Sequence, residues 1–284
     1  MAEQEKKDIV IAAAGGYSWD KIDMWALSLV KSGFSGIGAV IIYDDAANVS
    51  PDNQANIENL RGIGFQVVVA PNPGIVFNQR FYDFYNVMAG VLNDLRYAIV
   101  TDIRDVYFQA DPTLWLEKNL KKAFLACSEG IKYKDESWGR DNVTAGYPTL
   151  AHRVMDKAIC NVGVLAGEAQ AVADLCLTIG MTAKSSGYQV ADQSGYNILL
   201  DMDPYKAVAQ FCASEDGFAC QAGTMADPSK IEDFRPYLLE PEPVLTDEGV
   251  KTAGGLLYPI VHQYDRVSEW NSSLRAALAE KLKA

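Results

Sequence analysis

The sequence is poor in the side chains that build zinc and hydrolase sites. Its 284 residues include only two histidines and five cysteines, and no two cysteines form a Cys-x-x-Cys pair. Structural zinc sites are recognised by such closely spaced ligands, and this sequence has no zinc-site spacing. The chain also lacks a Gly-x-Ser-x-Gly segment, which excludes the nucleophile elbow of an α/β-hydrolase.

The few cysteines predict a reduced, structural role. Cys127, Cys160 and Cys176 lie in apolar runs, and free cysteine is among the most buried residue types, so we expect them in the core. Cys212 and Cys220 flank a short polar loop and could pair in an oxidising compartment. We expect them to stay free.

Positive charge is scarce as well. The net charge is -12 at pH 7, from 25 Lys and Arg against 37 Asp and Glu. This charge argues against a nucleic-acid partner, because phosphate backbones are bound by clustered lysines and arginines. A nucleotide ligand is compatible with this charge, since a bound cation and a single arginine neutralise one or two phosphates locally.

Long apolar runs are absent. Apolar runs such as residues 39–43 and 97–100 have the length of a strand and cannot span a bilayer. Residues 1–8 are polar and charged, without the apolar region of a signal peptide. We expect a cytoplasmic protein with no membrane segment, or the soluble catalytic domain of a protein whose anchor lies outside this chain.

Strand and helix patterns alternate regularly through the first 130 residues. Apolar runs predict buried strands at 8–14, 39–43, 66–70, 97–101 and 123–127. Helix signals lie between them: Asp20 as a cap, Ser50-Pro51 as a start, apolar residues at helical spacing over 77–92, and Asp111-Pro112 as a cap. This alternation predicts parallel strands joined by helices, in an open α/β sheet whose ligands bind outside the carboxyl ends of the strands.

The pattern loosens after residue 129. Strands are predicted at 162–166 and 257–261, and helices near 169–179, 193–200 and 269–282. No linker rich in Gly, Ser and Pro separates the two halves. We therefore expect one domain over residues 1–284.

The clearest chemistry follows the strand predicted at 97–101. The segment from Thr101 to Pro112 reads Thr-Asp-Ile-Arg-Asp-Val-Tyr-Phe-Gln-Ala-Asp-Pro and places Asp102 and Asp105 three residues apart. Mg²⁺ and Mn²⁺ prefer carboxylate and phosphate oxygens and are often held by one or two carboxylates with the substrate's phosphates. In the alternative, structural interpretation, Asp102 caps a turn and Asp105 pairs with Arg104 in solvent.

Five motifs in order resemble those of glycosyltransferases of the GT-A fold. The segment 101–112 resembles their Asp-x-Asp region, in a variant reading Asp-x-Arg-Asp. The other four are Asn78-Gln-Arg-Phe81 ahead of the metal strand, the Asn-x-Gly-x-x-x-Gly strand at 161–167, Asp192-Gln193 on the acceptor side, and the late His262. The resemblance spans about residues 8–270 and implies a GT-A (Rossmann-like) open mixed sheet with helices on both faces.

The resemblance also implies an activity. The enzyme would move a sugar from a nucleotide-diphosphate donor, UDP-linked in our prediction, to a hydroxyl of a carbohydrate or glycoconjugate acceptor. Mn²⁺ or Mg²⁺ would be held by Asp102, Asp105 and His262 and would assist departure of the diphosphate. Because Arg104 stands where the usual motif has its second aspartate, we favour Asp105 as the main ligand and catalytic carboxylate, with Asp102 towards the ribose or sharing the metal.

In this interpretation residues 8–130 bind the donor, and residues 131–284 shape the acceptor cleft and close the metal site. Ala13 and Ala14 allow the backbone to approach a uracil or ribose closely, because the loop continues into Gly15-Gly16. Tyr17 either stacks on the base or belongs to the core.

Two further donor contacts are predicted. Arg80 offers a planar fork of donors to the diphosphate or the base, or alternatively forms a surface ion pair with Asp83. Ile103 and Arg104 are expected beside the nucleotide, next to Asp102.

On the acceptor side Asp192 is expected to contact the acceptor hydroxyl or act as a base, and its structural alternative is a helix N-cap. Glu129 and Trp138 flank a cleft-side loop, where Trp138 would either stack on a sugar or be buried. The alternative for His262 is a core histidine bonded to the backbone, whereas His152 is expected at the surface.

Two rival functions remain open at this point. Residues 11–16, Ile-Ala-Ala-Ala-Gly-Gly, are similar to the glycine-rich opening of sugar nucleotidylyltransferases, but the Gly-Thr-Arg that should follow is replaced by Tyr17-Ser-Trp-Asp20. The second rival is a non-catalytic module that binds a nucleotide sugar. The sequence also leaves open whether the anomeric configuration is retained or inverted.

Overall fold

The structure is a computed structural model that describes residues 6–283. Its strands are β1 (Lys7–Gly15), β2 (Ile37–Tyr43), β3 (Gln66–Ala70), β4 (Leu95–Thr101), β5 (Val106–Phe108), β6 (Phe124–Lys132), β7 (Ala158–Cys160), β8 (Val164–Glu168), β9 (Ala209–Cys212), β10 (Ala219–Gln221), β11 (Val244–Thr246), β12 (Gly249–Lys251) and β13 (Ile260–His262). Its α-helices are α1 (Trp19–Lys31), α2 (Pro51–Gly62), α3 (Val76–Ala89), α4 (Pro112–Asn119), α5 (Ser137–Gly146), α6 (Ala169–Ser186), α7 (Asp192–Leu200), α8 (Tyr205–Val208), α9 (Ala222–Met225), α10 (Ile231–Phe234) and α11 (Ser268–Lys283).

The main sheet has eight strands in the order β3-β2-β1-β4-β8-β6-β7, with β9 beside β6. β1 pairs in parallel with β2 on one side and with β4 on the other. The chain therefore moves outward from β1 to β3 and returns to β4 across β1. The crevice at the carboxyl ends of β1 and β4 is a topological switch point, where open α/β sheets bind ligands.

Strand β8 interrupts the parallel arrangement that the alternating pattern predicts. It runs antiparallel between β4 and β6, so the sheet is mixed. Close contact with the start of β6 requires a glycine, because a Cβ on Gly167 would lie 2.4 Å from the carbonyl oxygen of Ala123. The predicted fold class, a single α/β domain with a mixed sheet, is confirmed.

The core lies on both faces of the main sheet. Val10 and Ala12 of β1 face a cluster that includes side chains of α1, α2 and α4. Ile9 and Ile11 face the opposite cluster, formed with α3 and α6. Alternate side chains of a strand point to opposite faces, so a strand buried on both faces is apolar throughout, which is why β1 reads as a continuous apolar run.

A second sheet joins the end of the chain to the segment that follows β4. β13 pairs in parallel with β10 and antiparallel with β5. Tyr107 of β5, Cys220 of β10 and Val261 of β13 share a buried cluster with Trp270 and Leu274 of α11. Packing against α11 thus holds three short strands together, and β11 and β12 form a separate hairpin.

Several helix boundaries differ from the predicted ones. α1 begins at Trp19 with Ser18 as its N-cap, so Asp20 is not the cap. It lies in the first turn instead, where the helix dipole favours a carboxylate. Asp111 caps α4 as predicted, since its side chain accepts from the backbone N–H of Thr113. α3 ends at Ala89 and leaves Leu92 in a separate 3-10 turn.

The predicted state of the cysteines is confirmed. All five lie within the described residues, and each is buried and free, so Cys212 and Cys220 do not form a disulfide. Among residues 6–283, no helix has both the length and the apolar character needed to cross a membrane.

Candidate active site

A cleft of about 850 Å³ opens at the carboxyl ends of β1 and β4. Every predicted site residue except Ala14 lines it. The alternation of β1 explains the exception. Ala13 faces the cleft side of the sheet, whereas Ala14 is packed in the cluster with α1 and α2.

Three predicted metal ligands meet inside this cleft. Asp102 directly follows β4, and Asp105 directly precedes β5. β5 pairs with β13 so that Val106 lies opposite His262, which brings the end of the chain beside the two carboxylates. His262 Nε2 lies 3.3 Å from Asp102 Oδ2 and 3.7 Å from Asp105 Oδ1. One ligand atom from each residue lies within 4.8 Å of the others.

The surroundings of this triad suit a divalent cation. His262 Nε2 is buried and has no hydrogen-bond partner among the described residues, so its lone pair is free to bind a metal. Gly163 keeps the space open, since a Cβ there would lie 2.5 Å from His262 Cε1 and 2.9 Å from Asp102 Oδ2. Two carboxylates and one imidazole form a donor set that suits Mn²⁺.

The other ring nitrogen of His262 is engaged. Gln221 of β10 lies opposite His262 in the parallel pair of β10 and β13. Its Oε1 lies 2.7 Å from His262 Nδ1, and Gln221 is fully buried. Donation from Nδ1–H to this oxygen leaves Nε2 as the acceptor nitrogen of a neutral ring.

The electrostatics of the three groups differ. Burial raises the pKa of Asp102, but Arg80 and His262 outweigh it and hold this pKa below its ordinary value. Burial raises the pKa of Asp105 above its ordinary value, although His262 and Arg104 oppose the change. Burial lowers the pKa of His262, and the carboxylates of Asp102 and Asp105 more than compensate, so it lies above the usual value. A cation at the triad would favour the ionised carboxylates and the neutral ring.

Arg80 links the triad to Asp192. Its Nη1 contacts Asp102, and its Nη2 lies 3.2 Å from Asp192 Oδ2. The alternative ion pair with Asp83 is wrong, because Asp83 instead accepts from Tyr43 Oη at 2.7 Å. Arg80 is buried, which makes it a fixed cation between two carboxylates.

Asp192 opens α7, where its N-cap interpretation is wrong because Ala191 occupies that position. The carboxylate is buried, and burial raises its pKa above the ordinary value even though Arg80 opposes the change. It therefore faces the cleft as a partly desolvated group held in place by one arginine.

The remaining predicted donor residues lie as follows. Tyr17 is half-buried at the cleft, where burial raises its pKa. Ile103 is buried between the two carboxylates along the chain. Arg104 pairs with Asp105 at 2.8 Å and with Asp265 at 3.2 Å. The proposed pairing of Arg104 with Asp105 is thus correct, but the carboxylate is buried rather than in solvent.

Two of the residues predicted on the acceptor side, Glu129 and Trp138, differ in their exposure to solvent. Glu129 is buried and accepts from Asn161 Nδ2 at 2.8 Å and from Thr224 Oγ1 at 2.9 Å. Trp138 also lines the cleft but is 53% exposed, so the buried interpretation is wrong. His152 is exposed, as expected.

Sequence reasoning missed several residues of this cleft. Gln221, Thr224, Lys230 and Arg266 belong to its wall or to its supporting contacts. Only Arg266 had a local signal in the sequence, because it lies four residues after the predicted ligand His262. Gln221 and Thr224 lie in a short strand and a one-turn helix whose positions depend on the second sheet, so no spacing in the sequence marks them.

No protein-family model matches the sequence, and no curated protein matches it. Solved structures do. The chain is similar to an active-site mutant of LgtC over 96% of its own length and 95% of that chain, with a TM-score of 0.52 and 17% identity. It is similar to the glycosyltransferase GlyE of Streptococcus pneumoniae TIGR4 over 98% of its length and 64% of that chain, with a TM-score of 0.51 and 16% identity. These likenesses establish a GT-A-like glycosyltransferase fold.

Proposed function

We propose that this protein is a metal-dependent glycosyltransferase. It transfers a sugar from a nucleotide-diphosphate donor, which we propose is a UDP-sugar, to a hydroxyl of an acceptor. The observation that carries the proposal is the triad of Asp102, Asp105 and His262 at the switch point between β1 and β4. An unbonded imidazole nitrogen beside two carboxylates, in a space kept open by Gly163, supports a divalent cation there.

Asp105 and His262 would hold Mn²⁺ or Mg²⁺, with Asp102 as a further ligand or a contact to the ribose. When bound, the cation would supply Lewis-acid stabilisation to the departing diphosphate. Gln221 fixes the ring of His262, and the carboxylates supply the negative charge that a hard cation prefers. Residues supporting a metal ligand commonly orient it in this way.

Positive side chains along the same cleft support a diphosphate. Arg104, Lys230 and Arg266 line it, and the last two are exposed to solvent. The carboxylates of the triad and of Asp192 would repel the donor phosphates. The three basic side chains and the metal together would offset this repulsion. Ala13 and Tyr17, at the end of β1, would contact the nucleoside.

Arg80 and Asp192 would position the transferred sugar. Arg80 contacts both Asp102 of the triad and Asp192. Its buried guanidinium would therefore fix the distance between the proposed metal site and the proposed acceptor site. In the transfer, the bond between the anomeric carbon and the phosphate oxygen breaks, and a bond to the acceptor oxygen forms. Asp192 would accept a hydrogen bond from the acceptor hydroxyl. As the new bond forms, the hydroxyl proton would pass to the Asp192 carboxylate or to the departing nucleoside diphosphate, which carries away the bonding electron pair.

Hydrolysis of donor sugars tests the proposal without a known acceptor. UDP-glucose, UDP-galactose, UDP-N-acetylglucosamine and GDP-mannose are incubated with the protein and Mn²⁺, and released nucleotide is measured. We expect slow, Mn²⁺-dependent release from at least one donor, abolished by Asp105→Asn. Asp111→Asn is the matched control, because Asp111 only caps α4, and asparagine caps about as well. Absence of nucleotide release from every donor, or equal loss in both variants, would contradict the proposal.

A further inference from the structure

Trp138 differs from the other tryptophans of the chain. Trp25 and Trp270 are buried in core clusters, and Trp19 and Trp115 pack against the core. Of the five tryptophans, all of them within the described residues, Trp138 alone is more than half exposed, at 53%. Exposure of so large an apolar side chain at the wall of a cleft indicates a surface that a ligand covers.

The backbone around Trp138 is held firmly. Trp138 is the second residue of α5, and Glu136 is the N-cap. The carboxylate of Glu136 accepts from the backbone N–H of Trp138 at 3.1 Å and of Gly139 at 2.5 Å. Glu136 is itself only 6% exposed. The indole is therefore presented to solvent by a fixed helix start rather than by a free loop.

Trp138 belongs to a continuous wall of the cleft. The segment 187–191 connects α6 to α7, and Tyr188 Oη donates to Asn142 Oδ1 of α5 at 2.9 Å. On its other side, Asn78 Nδ2 of α3 donates to the carbonyl oxygen of Tyr188 at 2.8 Å. The segment is thereby bonded to both α3 and α5. It leads directly into Asp192.

A second exposed aromatic residue lies on the helix at the other side of this segment. Phe77 is the second residue of α3, is 53% exposed and lines the cleft. Gln189 and Val190 line the cleft as well. We call the four residues Phe77, Trp138, Gln189 and Val190 the aromatic rim. It combines two aromatic surfaces with an amide, and buried carboxylates of Asp192 and Glu129 line the same cleft.

This chemistry matches a carbohydrate. A pyranose has an apolar face of C–H groups that packs on an aromatic ring, and hydroxyls at its edge that bond to amides and carboxylates. A lipid chain would offer no hydrogen-bond partner to the side-chain amide of Gln189, and burying an unpaired polar group is costly. The net charge of the chain, -12, disfavours an anionic polymer.

We infer that the aromatic rim is the binding site for an acceptor oligosaccharide, with a pyranose stacked on Trp138 and the reacting sugar directed towards Asp192. The inference rests on the proposed function, which supplies the donor site next to it. It names the acceptor class as a glycan with at least one sugar beyond the reacting one, since the rim extends outward from Asp192 along the segment 187–191.

A printed array of mono-, di- and trisaccharides, probed with the protein saturated with UDP and Mn²⁺, selects a glycan. Calorimetry with the selected glycan then compares the wild type with Trp138→Ala, Trp138→Phe and Phe77→Ala. The matched control is Phe211→Ala, because Phe211 is equally exposed, at 54%, and does not line this cleft. All three side chains are exposed, so each of the four variants should fold.

We expect Trp138→Ala to raise the Kd for the glycan about five- to tenfold, the loss expected for one aromatic contact. Trp138→Phe should keep most of the affinity, Phe77→Ala should lose part of it, and Phe211→Ala should match the wild type. Donor hydrolysis should be unchanged in Phe211→Ala, because Phe211 lies outside the cleft.

Three results overturn the inference and leave the proposed function intact. One is an unchanged glycan Kd in Trp138→Ala. The second is a wild type that hydrolyses a donor but retains no glycan on the array. The third is binding of decyl maltoside without binding of maltose, with both measured by calorimetry, because the alkyl chain would then be the ligand. Failure of the proposed function is distinct, since it appears as absent donor hydrolysis in the wild type.

Discussion

Gln221 Oε1 lies 2.7 Å from His262 Nδ1, and both residues are buried on neighbouring strands of the small second sheet. This contact selects the tautomer of His262 whose Nε2 faces Asp102 and Asp105. Which nitrogen of the His262 ring carries the proton thus depends on the register between β10 and β13. These strands pair in space although Gln221 and His262 are some forty residues apart in the sequence.

Replacement of Gln221 tests this relationship. Gln221→Leu keeps the volume but removes the acceptor for Nδ1–H, so we expect Mn²⁺ to bind roughly 10- to 100-fold more weakly, the usual cost of losing a residue that orients a metal ligand. Free Mn²⁺ measured by electron paramagnetic resonance gives the affinity. Gln54→Leu, on the exposed face of α2, is the control. Equal Mn²⁺ affinity in the two variants would show that the ring does not need Gln221.

Gly163 gives a steric test of the same centre. A Cβ at this position would lie 2.5 Å from His262 Cε1, so Gly163→Ala should displace the ring and weaken Mn²⁺ binding at least tenfold, the lower end of the loss seen when metal-site residues are replaced. Gly62→Ala is the matched control. Its Cβ would meet no atom within 4 Å in the described part of the chain, and alanine is the better helix former by about 1 kcal/mol. If Gly163→Ala binds Mn²⁺ as well as Gly62→Ala does, the metal does not bind in the space between Gly163, Asp102 and His262.

A prediction about stability concerns Asp201, which lies outside the cleft. Its buried carboxylate accepts from Arg153 Nε at 2.8 Å and contacts Lys157. The hydrogen bond from Lys157, followed by that from Arg153, holds the pKa of Asp201 below its ordinary value. A lowered pKa contributes stability above the unfolded value near 3.9, and this contribution disappears as pH falls through the folded value.

Asp201→Asn should therefore be less stable than the wild type at pH 7, by about 1 kcal/mol because the basic partners are half exposed. The difference should shrink below pH 4, where the wild-type carboxyl takes up a proton. Urea unfolding at pH 7, 5 and 3 measures it. A difference that stays constant from pH 7 to pH 3 would mean that the ion pairs do not contribute.

Local signals account for what the sequence predicted well. The strands at the centre of the sheet are buried on both faces and therefore read as uninterrupted apolar runs, as in β1 and β2. The Asp111-Pro112 start of α4 needs only its own turn. Asp102 was placed correctly at the end of β4 because strand ends are visible in the pattern.

Long-range contacts account for what the sequence could not give. The insertion of β8 between β4 and β6 depends on a close approach at Gly167, and no periodicity reports it. Arg80 has Asp83 one turn away on its own helix, yet it pairs with Asp102 and Asp192, which only the tertiary fold brings near. The meeting of His262 with the carboxylates depends on three strands of three residues each, too short for a clear pattern.

Calorimetry of UDP binding tests the central claim, that a divalent cation at Asp102, Asp105 and His262 holds the donor phosphates. UDP is titrated into the protein with Mn²⁺ and again after EDTA treatment, with His262→Ala measured alongside. We predict binding with Mn²⁺, no measurable binding after EDTA, and weak binding in His262→Ala that high Mn²⁺ partly restores, since both carboxylates remain. An unchanged affinity for UDP after EDTA treatment would contradict the account.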